Sequence, residues 1–306
     1  MTIADKDAGP ATIAPATRVR TPILDMEVFD AGPRDAPAVL LLHGWPDAAS
    51  TWDRVSPHLN AAGFRTIAPT WRGFGGTRFR DPATPRTGDS AILAHDAIDL
   101  MDALGLERVY VAGHDWGSNA TEAMAVGWPG RIRAMAMLST PPRLGGIPTP
   151  PFAQAQRQWY HWFMATARGA AAVHADPKGF GRLMWDNWSP PGWYGEDTFA
   201  AAAHAWENPG WADVTLHSYR ARWDEAAPDP RSAALSAAVK ATKTIDTPTL
   251  YIHGALDGVN PPETAEGVAA KFSGPFDRLM LDGVGHFPPR EMPGEVAKAL
   301  VRHFGP

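Results

Sequence analysis

Three short stretches of the chain carry side chains suited to nucleophilic and acid–base chemistry. The sharpest is Gly113-His114-Asp115-Trp116-Gly117, which follows the strand-like run Arg108 to Ala112 and precedes helical spacing from Trp116 to Gly127. A turn this tight between a strand and a helix accepts only small residues two before and two after its apex, and Gly113 and Gly117 meet that demand. The apex residue is Asp115. Its carboxylate is therefore expected in a cleft at the carboxyl edge of a sheet, beside a helix N-terminus that favours negative charge. Taken alone, a strand–turn–helix with Asp at the helix cap is also an ordinary arrangement.

The other two stretches supply what such a carboxylate needs. His43-Gly44-Trp45-Pro46 directly follows the aliphatic run Val39 to Leu42, and a turn there can aim backbone N–H groups at a developing oxyanion. The expected donors are the amides of Trp45 and Trp116; His43 reads as a residue that braces the loop. Gly283-Val-Gly-His286-Phe287 follows the last strand-like segment and offers His286 as a general base. Asp257, in His253-Gly-Ala-Leu-Asp-Gly-Val, can orient that imidazole. Asp282 is the rival acid but lies too near His286 in sequence to fold back onto it easily. The order nucleophile, acid, base is thus Asp115, Asp257, His286.

The elements that must position these groups alternate. Strand-like segments at Val39–Leu42, Phe64–Pro69, Arg108–Ala112, Ile132–Leu138, Thr249–His253 and Arg278–Leu281 are separated by helical spacing at 50–61, 89–104, 116–127, 262–272 and 294–304. Continuous aliphatic strands such as Val39 to Leu42 suit a parallel sheet covered on both faces, and βαβ repetition implies right-handed crossovers. The Pro/Gly-rich stretch from Thr140 to Pro151 breaks the alternation. About a hundred residues follow that are Ala-rich, aromatic and helical in spacing, so an insertion over 141–247 interrupts one α/β domain. Residues 1–20 lack the apolar core of a signal peptide and read as a flexible polar tail.

Composition narrows the function classes. The chain has 306 residues, a net charge of -5 and no Cys. No disulfide framework, thiolate metal site or cysteine nucleophile can form. There is no basic field for nucleic acid or an anionic membrane, and no run near the ~20 apolar residues that span a bilayer. A cytoplasmic protein is expected, with a homo-oligomer left open.

Together these residues resemble the α/β-hydrolase fold, in the branch of epoxide hydrolases and haloalkane dehalogenases. Asp at the elbow of Gly-His-Asp-Trp-Gly and His-Gly-Trp-Pro upstream carry the resemblance. Trp71-Arg72-Gly73-Phe74-Gly75-Gly76-Thr77 is similar to that branch's Asp-Arg-Gly-x-Gly-x-Ser loop, with Trp71 in place of Asp. The resemblance implies a mostly parallel, doubly wound sheet built from 21–140 and 248–306, with a helical cap over 141–247 inserted after the sixth strand. It also implies two cap tyrosines that protonate an epoxide oxygen. Trp159-Tyr160-His161-Trp162-Phe163 and Ser218-Tyr219-Arg220 match the two tyrosine segments of that branch; Tyr194 is the third tyrosine of the cap.

The reaction follows from the nucleophile. A carboxylate is a poor starter for acyl transfer but attacks a strained or activated saturated carbon, giving an ester on Asp115. His286 would then deprotonate the water that hydrolyses this ester, and the Trp45 and Trp116 amides would hold the oxyanion, each donor contributing about 3 kcal/mol. No metal or organic cofactor is required. The expected reaction is hydrolysis of an apolar or aromatic epoxide to a vicinal diol, with water and a small apolar substrate as the partners. Haloalkane dehalogenation is the alternative, and a non-catalytic ligand-binding protein on the same fold is a second. Eight of the 13 Trp lie in the insertion, which fits a dry aromatic pocket; Trp45, Trp116 and Trp159 are its expected lining.

Overall fold

The computed structural model describes residues 15–305. Nine strands form one sheet: β1 (Ala16–Arg20), β2 (Leu24–Ala31), β3 (Ala38–Leu42), β4 (Arg65–Pro69), β5 (Arg78–Phe79), β6 (Val109–His114), β7 (Ile132–Leu138), β8 (Thr249–Gly254) and β9 (Phe276–Leu281). The order is β1-β2-β4-β3-β6-β7-β8-β9, with β5 paired to β2. Strands from β4 to β9 along this path are parallel, while β1, β2 and β5 add an antiparallel edge. The connections that leave β3 and β6 run to opposite sides of the sheet, so the gap between these two strands is a topological switch of the kind that opens a crevice at the carboxyl ends of strands.

Both faces of the central strands are covered, and successive residues divide between them. Leu40, Leu42, Val111, Met135 and Met137 pack toward the helices Ser90–Ala103 and Trp116–Gly127. Their neighbours Val39, Leu41, Ala112, Ala136 and Ile252 pack toward Ser56–Ala61 and Pro293–Phe304. This is why β3, β4 and β8 are apolar or buried along their whole length.

Three expectations from the sequence change. The polar tail over 1–20 ends sooner, because Ala16–Arg20 pairs with β2 as an exposed edge strand; residues 1–14 lie outside the described residues. The helix over 50–61 is two pieces, a 3-10 turn at Ala49–Trp52 and a helix from Ser56 with Pro57 in its first turn, where a residue lacking N–H is tolerated. The helix over 262–272 is two 3-10 turns parted by Gly267, whose φ of 70° breaks the run.

Between β7 and β8 the chain forms seven α-helices and no strand, from Phe152–Arg157 to Ala233–Ala241. This insertion follows the sixth strand of the sheet's main path. It lies over the carboxyl ends of the strands, held by indole hydrogen bonds. Trp185 Nε1 donates to the Pro46 carbonyl (2.6 Å) and Trp206 Nε1 to the Asp47 carbonyl (3.1 Å). From the core side, Trp45 Nε1 donates to Thr215 Oγ1 (3.1 Å). No helix among the described residues is long and apolar enough to cross a membrane.

Candidate active site

Asp115 stands between β6 and the helix Trp116–Gly127 at φ 49° and ψ −107°, a region L-residues occupy only when their surroundings enforce it. The enforcement is close packing. A Cβ on Gly113 would lie 2.1 Å from the Gly117 carbonyl oxygen, and one on Gly117 2.2 Å from that of Leu42. The elbow thus leaves no room for a side chain at either glycine. Asp115 Oδ1 accepts from the Trp45 backbone N–H at 2.9 Å, and Oδ2 accepts from Thr140 Oγ1 at 3.1 Å.

His286 faces the same carboxylate from the loop after β9. Its Nδ1 lies 2.8 Å from Asp257 Oδ2 and its Nε2 lies 3.7 Å from Asp115 Oδ2. The Asp257 contact fixes Nδ1 as a donor and leaves Nε2 turned to Asp115; Nε2 is buried without a hydrogen-bond partner. Asp257 Oδ1 is itself held by the amides of Val259 and Asn260 at 2.9 and 2.8 Å. Asp282 is exposed. Of the two acids weighed, only Asp257 is hydrogen-bonded to His286.

Electrostatics follow from this geometry. Burial alone would raise the Asp115 carboxyl, but the charge of the nearby His286 imidazole, with the hydrogen bond from the Trp45 amide, holds it well below the usual carboxylate range. Burial likewise opposes charge on His286. The carboxylates of Asp257 and Asp115 outweigh it and push the imidazole above its ordinary value. His114, pulled down to about 4 by burial and by His286, is neutral and donates from Nε2 to the His286 carbonyl at 2.7 Å.

Tyr160 and Tyr219 come from two helices of the insertion, Trp159–Ala165 and Trp211–Arg222. They are both buried, with ring centroids 5.3 Å apart. The Trp45 indole contacts both, stacked on Tyr160 at 5.6 Å and edge-on to Tyr219 at 4.9 Å. Trp116 Nε1 donates to the Tyr219 hydroxyl at 3.3 Å. Burial pushes both phenols up, and the Arg222 guanidinium, 4.6 Å above the Tyr219 ring, works in the opposite direction. Trp159 stands apart, 39% exposed, against Tyr160 and Phe180. Tyr194 hydrogen-bonds Asp186 instead, at 2.5 Å.

Several residues that the sequence did not single out complete the arrangement. Thr140 is reached because β7 is the parallel neighbour of β6, so both strands end beside Asp115; that adjacency was its only signal. Glu291 organises the His286 loop by accepting from the amides of Gly285 and Phe287 and from Ser189 Oγ. Ser189 Oγ in turn accepts from the His286 amide at 2.8 Å. His43 braces its loop as expected: Nε2 accepts from the Trp71 amide (3.1 Å), and Trp71 Nε1 donates to the His43 carbonyl (2.7 Å). The tryptophan at 71 therefore supplies a hydrogen bond of its own to this loop. Among the described residues no three His, Asp or Glu side chains are grouped to hold a metal ion.

The chain is similar to known proteins along nearly its whole length. The family model for the alpha/beta hydrolase fold matches residues 37–290. Epoxide hydrolase A of Mycobacterium tuberculosis is 31% identical over 94% of this chain and 97% of its own. An epoxide hydrolase of Caballeronia sordidicola is 31% identical over 87% of each. A crystal structure from Klebsiella pneumoniae, of a protein provisionally described as an epoxide hydrolase, is 34% identical with a TM-score of 0.90, covering 94% of this chain and 97% of that one.

Proposed function

The chain belongs to the α/β hydrolase fold family, in its epoxide hydrolase branch, and on that premise we propose that it hydrolyses an epoxide to a vicinal diol through an ester on Asp115. The observation that carries this reading is the setting of Asp115. One carboxylate oxygen rests on the Trp45 amide, and the other faces His286 Nε2 across 3.7 Å. In the first half-reaction Asp115 Oδ2 attacks an epoxide carbon, the C–O bond of the ring breaks, and Tyr219 or Tyr160 gives its phenolic proton to the departing oxygen. In the second, His286 Nε2 takes a proton from water and the resulting hydroxide adds to the Asp115 carboxyl carbon. The oxyanion forms on Oδ1, against the amides of Trp45 and Trp116. Collapse breaks the carbon–Oδ2 bond, the imidazolium returns its proton to the departing diol oxygen, and the proton left on the Asp115 carboxyl passes to the tyrosinate, restoring carboxylate and phenol.

The helical insertion acts as a cap that excludes water and surrounds the epoxide with Trp45, Trp116, Trp188 and Tyr160, a lining suited to apolar or aromatic substituents. Halide release would need free N–H donors at the leaving group. The indole N–H groups of Trp45 and Trp116 are instead engaged by Thr215 and Tyr219, which favours the epoxide. A purely binding role would leave the hydrogen-bonded Asp257–His286 pair without a task.

His286→Gln should trap the ester. Intact-mass measurement after incubation with styrene oxide is expected to show one substrate mass added on the peptide holding Asp115. Absence of the adduct while the wild type turns over would refute the mechanism. A paired assay of diol formation from aryl epoxides and bromide release from bromoalkanes separates the two substrate classes.

A further inference from the structure

Beside Tyr219 lies a cavity of about 380 Å³ between the cap and the helix Trp116–Gly127. Its walls include Asn119, Glu122, Arg143, Ser218, Arg222 and Trp223. Asn119 lies one helical turn beyond Asp115, its amide N–H donating to the Asp115 carbonyl at 3.2 Å. Its side chain is 1% exposed, and neither atom of its carboxamide has a hydrogen-bond partner, a costly state for a buried polar group.

Two guanidinium groups face the same space. Arg143 Nη1 donates to Ser90 Oγ and Arg222 Nη1 to His161 Nε2, each at 3.2 Å. Arg222 Nε is buried and unpartnered. Among the described residues neither guanidinium is paired with a carboxylate. The acidic groups of the cavity are already engaged. Asp89 accepts from the amides of Ile92 and Asp229 and from Ser232 Oγ. Asp224 pairs with Lys240 at 2.9 Å. Glu122 accepts from the amides of Arg143 and Leu144, and burial pushes its carboxyl up to about 7. Enclosure and the charge of Arg222 together pull Arg143 down to about 9. The charges of Asp115 and Glu122 act on Arg143 in the opposite direction, but from beyond salt-bridge distance. Two guanidinium groups without a salt-bridged carboxylate, beside an unsatisfied carboxamide, are complementary to a planar anion.

We propose that this cavity is a carboxylate subsite, so that the substrate is an epoxide bearing a carboxylate whose head binds Arg143, Arg222 and Asn119 while its epoxide lies over Asp115. The substrate identity rests on the epoxide reading above; the anion site does not. Because Arg222 lies over the Tyr219 ring, the bound head would sit next to the cap tyrosines and fix which end of the molecule reaches them.

Calorimetric titration with 4-ethylbenzoate, which has no epoxide, tests the site directly. Saturable binding is expected, about ten- to a hundredfold tighter than that of 4-ethylbenzamide. Arg143→Gln and, separately, Arg222→Gln should abolish the difference, and Arg143→Lys should keep part of it. The comparison of acid with amide in the wild type needs no variant to fold. Equal binding of the two probes, or a preference that survives both substitutions, overturns the proposal. Turnover of 4-(oxiran-2-yl)benzoate against its amide then reads the substrate, with the preference expected in KM. Acid-selective binding without turnover of either epoxide would sink the epoxide reading and leave the anion site standing. Turnover of both epoxides at equal kcat/KM with equal probe binding would do the reverse.

Discussion

The backbone N–H of Trp45 reaches Asp115 Oδ1 across 2.9 Å, so the two oxygens of this carboxylate are distinguished before any substrate arrives. In the proposed mechanism Oδ1 occupies the place where negative charge develops during ester hydrolysis, and Oδ2 is the oxygen that attacks. A single turnover in ¹⁸O-water should therefore place the label on Asp115 and release an unlabelled diol, as read by mass spectrometry of both. Label in the first diol formed would mean that water attacks the epoxide directly.

Asp257 and Asp282 make opposite predictions. Asp257→Asn removes the charge and acceptor that set the His286 tautomer, and should slow ester hydrolysis roughly a thousandfold or more. Alkylation of Asp115 should fall far less, so the ester accumulates. Asp282→Asn changes an exposed residue and should leave both half-reactions within about twofold. Rapid-quench detection of the ester compares the two variants.

The pH dependence should differ between the half-reactions. In the free enzyme Asp257 and Asp115 both hold the proton on His286. Esterification removes the Asp115 charge and leaves Asp257 as the main support, so the imidazole loses its proton at lower pH in the ester than in the free enzyme. Hydrolysis requires the neutral ring. Its rate should rise with pH, with a midpoint below that of His286 measured by NMR titration of the free enzyme. A rate that falls with rising pH contradicts the assignment of His286 as base.

The cap tyrosines should matter only where an alkoxide leaves. Tyr219→Phe is expected to lower the rate of Asp115 alkylation by styrene oxide about a hundredfold, and to change any bromide release from a bromoalkane little. Stopped-flow tryptophan fluorescence and a halide assay measure the two. Equal losses on both substrates would refute the role of Tyr219 as acid.

The elbow glycines are expected to be intolerant of a single methyl. Gly113→Ala brings a Cβ within 2.1 Å of a backbone oxygen that cannot turn aside, and should cost about 1–3 kcal/mol in urea unfolding. A variant of unchanged stability would show that the turn is looser than its packing.

How far the sequence told this story depended on what each segment packs against. β3 and, past the exposed Arg133, β7 were readable because burial on both faces requires apolar runs, and the elbow because it needs two glycines at fixed spacing. β2 escaped although Leu24, Met26 and Val28 alternate with Asp25, Glu27 and Phe29 in its exposure pattern; the alternation was there to be seen. β1 carries no such pattern, since an edge strand with exposed side chains leaves little trace. In the site, Asp115, Asp257 and His286 were legible from order and element context. Thr140, Ser189 and Glu291 were not, because their contacts depend on which strands are neighbours and on how the cap returns to the His286 loop.

The indoles that join the two halves of the molecule have a consequence for exchanging parts. Trp185 and Trp206 hold the carbonyls of Pro46 and Asp47, the two residues after the amide that supports Asp115. A cap grafted from a relative without those rings would strip hydrogen bonds from the very segment that sets the nucleophile. Recombination at the cap boundaries would then change chemistry as well as substrate range. Cap and core must be inherited, and engineered, as a pair.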